Sequence, residues 1–248
     1  MANWNDPRNT PQGFGASPGL KGETVARGGT YDMGLRRHML SIYNYMTSGV
    51  LLSGIVAMVM AQSGMALALM GTPLRWLFIL SPLAIVFAMS FGRERFSAGA
   101  LQAMFWGFAG LMGVSLSTIF LVYTGASIAA TFFATAAAFA GLSLFGYTTK
   151  KNLSGMGTFL VMGVVGLLVA MLLNMWLQSP GLTWAVSFLG VLIFAGLTAY
   201  DTQRLKNEYA FVQGTDYAGK AVIMGALSLY LDFINMFQFL LAFMGSRE

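Results

Sequence analysis

The chain has 248 residues, of which 56% carry hydrophobic side chains and 9% are charged, with a net charge of +5; a soluble globular domain carries about 25% charge. That balance excludes an intrinsically disordered chain, a collagenous repeat and a water-soluble enzyme core, and it points to a membrane protein. At roughly 20 residues per crossing helix, the length holds about six to eight spans and leaves no room for a separate soluble domain.

Residues 1–36 contain Pro7, Pro11 and Pro18, seven glycines and no long apolar run. Such a segment buries too little surface to order itself, so it reads as a flexible tail ahead of a transmembrane domain at 37–248. Hydropathy then predicts seven helical spans, at residues 39–62, 74–91, 98–123, 127–148, 155–177, 182–203 and 222–244. Each is about the length a helix needs at ~1.5 Å per residue. The apolar runs are continuous, whereas a membrane β-barrel would alternate polarity over ~10-residue segments. The link around Gly125 is short enough to demand a tight hairpin. Of the fourteen basic residues, all but Arg75 and Arg247 fall on the side of the amino terminus. This bias predicts a cytoplasmic amino terminus and, with seven spans, an external carboxyl terminus. Basic residues in short loops beside spans meet anionic headgroups and require no nucleic-acid partner. Spacing and motifs give no internal repeat of the kind that builds inverted transporter halves.

Two of the nine acidic residues stand inside spans: Asp201, near the inner end of the sixth in FAGLTAYDTQRLK, and Asp232, within the seventh in SLYLDFINMFQF. An ionised carboxylate at the centre of a helix in lipid costs ~2.5 to 3.5 kcal/mol on insertion scales, so such groups face the bundle interior and find partners. The natural partner of each is the other. On these boundaries Asp232 lies deeper than Asp201, so pairing requires helix tilt or a seventh helix that begins outside the membrane. Two carboxylates in low dielectric cannot both ionise cheaply, so they would share a proton and titrate as a pair. Deprotonation would be relieved by separation, by a basic residue such as Arg93 or Arg95 at the inner end of the second span, or by a cation. Calcium suits hard carboxylate oxygens best. Ser228, Asp232 and Asn235 share a face of the seventh helix at i, i+4 and i+7, with Gln238 drifting off it, and these are candidates to line a path. The competing readings are structural: a hydrogen-bonded pair that locks two helices, polar side chains as interhelical glue, and arginines that set topology.

Other chemistry is absent from the sequence. With one histidine, His38, and no cysteine, there is no Ser-His dyad and no histidine or thiolate metal cluster. No lysine lies within a span, which excludes a retinal Schiff base. FGRERFSAG forms neither a phosphate loop nor a dinucleotide fingerprint. The eighteen methionines are scattered as core filling. Ala109, Gly113 and Ser117 make a small-residue stripe suited to close packing. No cofactor and no enzymatic activity are expected.

The pairing of AYDTQRLK in the sixth span with SLYLDFINMF in the seventh resembles the Bax inhibitor-1 family in its bacterial branch, and the likeness extends over the seven-span plan from about residue 37 to 245. The resemblance implies an all-α fold of six helices around a central, polar seventh, and a pH-sensitive calcium leak. It carries the proton-sharing aspartates onto Asp201 and Asp232, and an associated arginine onto Arg95, or Arg93 under a different alignment. The chain departs from the pattern in its short outer tail, which lacks a basic cluster, and in a second span without an acidic residue. Two rival functions remain open at this stage. One is modulation of a membrane-bound protease, with residues 1–36 as a recognition segment; the other is proton-coupled exchange of a cation through the same aspartates.

Overall fold

The computed structural model describes the backbone of residues 19–246 and the side chains of residues 31–246. Its elements are helical: α1 (Gly19–Gln62), a short α2 (Met65–Met70), α3 (Leu74–Gly92), α4 (Ala98–Leu116) continued by a 3-10 turn (Ser117–Leu121), α5 (Gly125–Thr148), α6 (Ser154–Leu177), α7 (Pro180–Val212) and α8 (Ala218–Met244). The chain divides into two units, Met1–Arg37 and His38–Glu248, and the bundle is the second. The expected flexible tail falls on residues 1–18, which lie outside the described residues, and on residues 19–36, whose backbone belongs to α1.

Seven of these helices, all but α2, are long and apolar enough to cross a membrane. They coincide with the seven stretches read from hydropathy. Local sequence sets their ends. Ser97, Thr124 and Ser179 cap α4, α5 and α7 by accepting hydrogen bonds from the backbone N–H groups of Ala100, Ser127 and Leu182, and Pro180 opens α7 where a missing N–H costs nothing. The link after the third span is the expected hairpin, with Val122, Tyr123 and Thr124 between the 3-10 turn and α5.

One helix is more enclosed than the rest. Half of the most apolar window of α8 is buried inside the protein, against 11% to 39% for the other six. Gly225, Ala226, Leu227, Leu229 and Tyr230 are all buried, so neighbours cover most of the circumference at ~100° per residue, and the half-buried Met224, Ser228, Leu231, Asn235 and Gln238 share the one remaining face. α8 packs against α7, α5 and α4, and α1 reaches it through Ser53 and Ile42. The seventh span is therefore the central one.

In lipid, helices gain no hydrophobic drive from meeting each other, so van der Waals contact and polar bridges hold the bundle. At Gly113, a Cβ would lie 2.7 Å from the carbonyl oxygen of Ser53 and from Val56 Cβ, so the small-residue stripe of α4 is the groove into which α1 fits. Ser53 Oγ anchors that contact, its one proton within hydrogen-bond reach of the carbonyls of Ala109 (2.7 Å) and Gly49 (3.0 Å), with Tyr230 Oη 2.6 Å away. Gly146 of α5 lies so close to the backbone of Ala199 on α7 that a Cβ there would overlap the Ala199 carbonyl.

Candidate functional site

Helix α7 is longer than its apolar stretch. It runs to Val212, nine residues past the expected end at 203, and this extension narrows the depth mismatch between the two aspartates. Asp201 now lies eleven residues before the end of α7, and Asp232 fourteen residues after the start of α8 at Ala218. At 1.5 Å per residue these depths are ~16 and ~21 Å, within about one helical turn of each other.

The rotation of α7 is set by its other face. Thr202 Oγ1 is 2.9 Å from Ser143 Oγ on α5, which in turn bonds Tyr43 Oη on α1, and Thr202 also donates to Thr198 O at 2.8 Å. With Thr198 and Thr202 held toward α5, Asp201 points ~100° around the helix. There it comes within electrostatic reach of Asp232 on α8, and Arg204 acts on both. Both aspartates are buried, with 7% and 4% of their surface exposed. Asp232 Oδ2 has no hydrogen-bond partner among the described residues. A buried carboxylate oxygen in that condition is costly, and a proton, a water or a cation would relieve it.

Asp201 is paired. Arg204 Nη1 lies 3.2 Å from its Oδ1, and Arg204 Nη2 donates to Ser228 Oγ on α8 at 3.1 Å. Arg204 thus bridges α7 and α8 beside the aspartates. Sequence reasoning had placed Arg204 among the charges that set topology, although its i, i+3 spacing from Asp201 puts both on one helix face. The arginines it did nominate are separated by the fold. Arg93 lines the same cavity as Arg204, whereas Arg95 sits exposed in the turn after α3, its backbone N–H donating to Gly92 O. Gln203 was also missed. It is buried, accepting from Leu153 N–H and donating to Lys151 O at 2.8 Å each, and so ties the link between α5 and α6 to α7.

The three path-lining candidates fall into two cavities. Ser228 faces a cavity of about 560 Å³ toward the basic end of the bundle, lined also by Ser90, Arg93, Tyr200, Arg204 and Glu208. Asn235 and Gln238 face a second, of about 890 Å³, between α6, α7 and α8, with Asn174, Thr183, Phe194 and Phe239. Asn235 Nδ2 donates to the Leu231 carbonyl, one turn back. Along α8, Asp232 comes between Ser228, which lines the first cavity, and Asn235, which lines the second, and neither aspartate lines either one. Among the described residues, His, Cys, Asp and Glu form no group of three or more that could hold a metal ion. The ionisable side chains around the pair are of mixed sign, with Arg204 on Asp201 and Arg93 and Glu208 in the wall of the first cavity.

Comparison with known proteins agrees with this architecture. Residues 35–248 match the family model described as "Inhibitor of apoptosis-promoting Bax1". The chain is similar to an uncharacterized protein of Caulobacter vibrioides, 47% identical over 229 residues that cover 88% of this chain and 91% of that one. It is similar to the inner membrane protein YbhL of Escherichia coli K12, 46% identical over 219 residues, or 87% of this chain and 94% of that protein. An uncharacterized protein of Rickettsia prowazekii is 43% identical over 236 residues, covering 91% of this chain and 96% of its own.

Proposed function

Because the chain belongs to the Bax inhibitor-1 family, we propose that it is a calcium leak channel of the bacterial inner membrane, opened and closed by protonation of the Asp201 and Asp232 pair. The amino terminus is cytoplasmic and the carboxyl terminus external in this reading, which rests on the basic residues concentrated at one end. The observation that carries the proposal is the buried Asp232 Oδ2, without a hydrogen-bond partner among the described residues, close to a second buried carboxyl group. That oxygen is where a shared proton belongs.

Gating follows from electrostatics. With one proton between them the carboxyls attract; without it they repel, and two unit charges at contact distance cost on the order of 4 kcal/mol at an effective dielectric of about 20. A few kcal/mol is enough to shift a protein between two packings. Movement of α8 relative to α7 would join the cavity at Ser228 to the one at Asn235 and Gln238, making a path that hydroxyl, amide and carboxylate oxygens line. Arg204 is the resident cation at Asp201, so calcium passage requires its guanidinium to move aside. The protein does no covalent chemistry in this scheme.

Calcium flux into proteoliposomes, followed across the acidic to mildly alkaline range, tests the proposal. Wild-type flux should change with pH, and Asp201→Asn and Asp232→Asn should each flatten that dependence. A flat wild-type profile, or an Asp232→Asn profile that tracks wild type, would overturn it. Calcium driven uphill by an imposed proton gradient would instead mean exchange through the same pair.

A further inference from the structure

The cavity of about 560 Å³ near the basic end contains more cationic chemistry than a gate for calcium requires. Arg93, on the turn after α3, and Arg204, on α7, both line it. The Arg93 guanidinium has no hydrogen-bond or ion-pair partner among the described residues and is exposed. Arg204 spends one nitrogen on Asp201 and another on Ser228, and remains 45% exposed. A guanidinium carries five N–H donors, so each side chain keeps donors to spare. Lys220 adds a third cation nearby, its ammonium on the carbonyls of Arg93 and Glu94 at 3.4 and 3.2 Å. Neutral donors complete the wall: the hydroxyls of Ser90, Ser154, Tyr200 and Ser228 and the amide of Asn207. Glu208 is the lining carboxylate that opposes them.

We propose that this cavity binds a phosphate group between Arg93 and Arg204, carried either by an anionic phospholipid headgroup or as free phosphate. A guanidinium fork matches a phosphate's oxygens bidentately, and two such side chains line this one cavity with small hydroxyl donors for the oxygens left over. The cavity holds the volume of a headgroup, and it opens where the spans give way to polar loops, which is the depth of headgroup phosphates. Binding would compete with Asp201 for Arg204. The consequence for the aspartate pair rests on the gating reading above, whereas the binding itself does not.

Binding is therefore scored without calcium flux. The purified full-length protein is exchanged into nanodiscs of phosphatidylcholine alone or with phosphatidylglycerol, and retained lipid is counted by native mass spectrometry after ejection. In parallel, labelled inorganic phosphate is measured by equilibrium dialysis in phosphatidylcholine discs. Wild type should retain phosphatidylglycerol, or bind phosphate, about tenfold better than Arg93→Gln or Arg204→Gln. Arg75→Gln, at the far end of α3, should match wild type. Selective retention of lipid identifies a headgroup site, and binding of phosphate alone identifies a soluble anion. Failure of wild type to bind either probe, binding unchanged in Arg93→Gln, or equal loss in Arg75→Gln would overturn the proposal. Because Arg93 is exposed and outside the helix core, its substitution keeps the test valid even if Arg204→Gln misfolds.

Discussion

At Asp201 three ionisable groups meet: its own carboxyl, Asp232 across the interface, and the Arg204 guanidinium one turn along α7. Removing the guanidinium takes away the cation that occupies the site, so Arg204→Gln should raise calcium leak several-fold in proteoliposomes. Because Arg204 is 45% exposed, water screens the pair, and the loss in stability should be no more than ~1 kcal/mol. Flux and thermal unfolding measured on one preparation separate these effects; a drop in leak with a large loss of stability would contradict both. A different polar contact holds the central helix to its neighbours. Tyr230→Phe removes the hydroxyl beside Ser53 Oγ without changing the ring packing against Phe105 and Phe108. Interhelical hydrogen bonds in membranes are worth ~0.6 to 2 kcal/mol, so this variant should unfold at a modestly lower temperature in detergent and keep its pH profile.

Helix α7 organises the site through two of its faces. Toward α5 it presents Ala199, whose backbone touches Gly146, with Thr202 bonded to Ser143; toward α8 it presents Asp201. The first face fixes the second. Gly146→Val should force the helices apart, because the atom a side chain meets there is a carbonyl and cannot rotate away. Overpacking of this kind typically costs 1–3 kcal/mol. The expected outcome is lower thermal stability and a pH response weakened by the displaced aspartate, read by unfolding in detergent and by flux. The same substitution at Gly141, where a Cβ meets nothing within 4 Å, should leave both unchanged. The length of α7 matters equally: its extension to Val212 carries Arg204 and Glu208 on helical backbone beyond the apolar stretch and brings Asp201 to nearly the depth of Asp232.

For the molecule as a whole, the testable consequence is orientation. With the amino terminus cytoplasmic and seven crossings, a carboxyl-terminal alkaline phosphatase fusion should be active and a fluorescent protein at the same place dark, with the reverse result for fusions in the link between α5 and α6, beside Lys150 and Lys151. The opposite pattern would place Arg93, Arg204 and their cavity on the outer face and would remove the cytoplasmic leaflet as a source of headgroups.

Composition and hydropathy alone determined the class of protein, the number of spans and the hairpin near Gly125, because the hydrocarbon imposes one length and one polarity on anything that crosses it. The two intramembrane aspartates were equally legible, since a charge in an apolar run is expensive wherever the helix points. Which arginine serves them was not. Arg93, Arg95 and Arg204 all satisfy the same topological rule; the i, i+3 spacing within α7 allows the Arg204–Asp201 pair, and only the packing of the helices sets Arg204 on Ser228 of α8, Arg93 in the cavity wall and Arg95 in the exposed turn. Ser228, Asn235 and Gln238 likewise read as one polar stripe, yet neighbouring helices divide them between two cavities. Hydropathy reports the environment around a helix and says little about rotation or about how far a helix continues past the lipid; those are fixed by contacts such as Gly146 with Ala199 and Ser143 with Thr202, which join residues more than fifty positions apart.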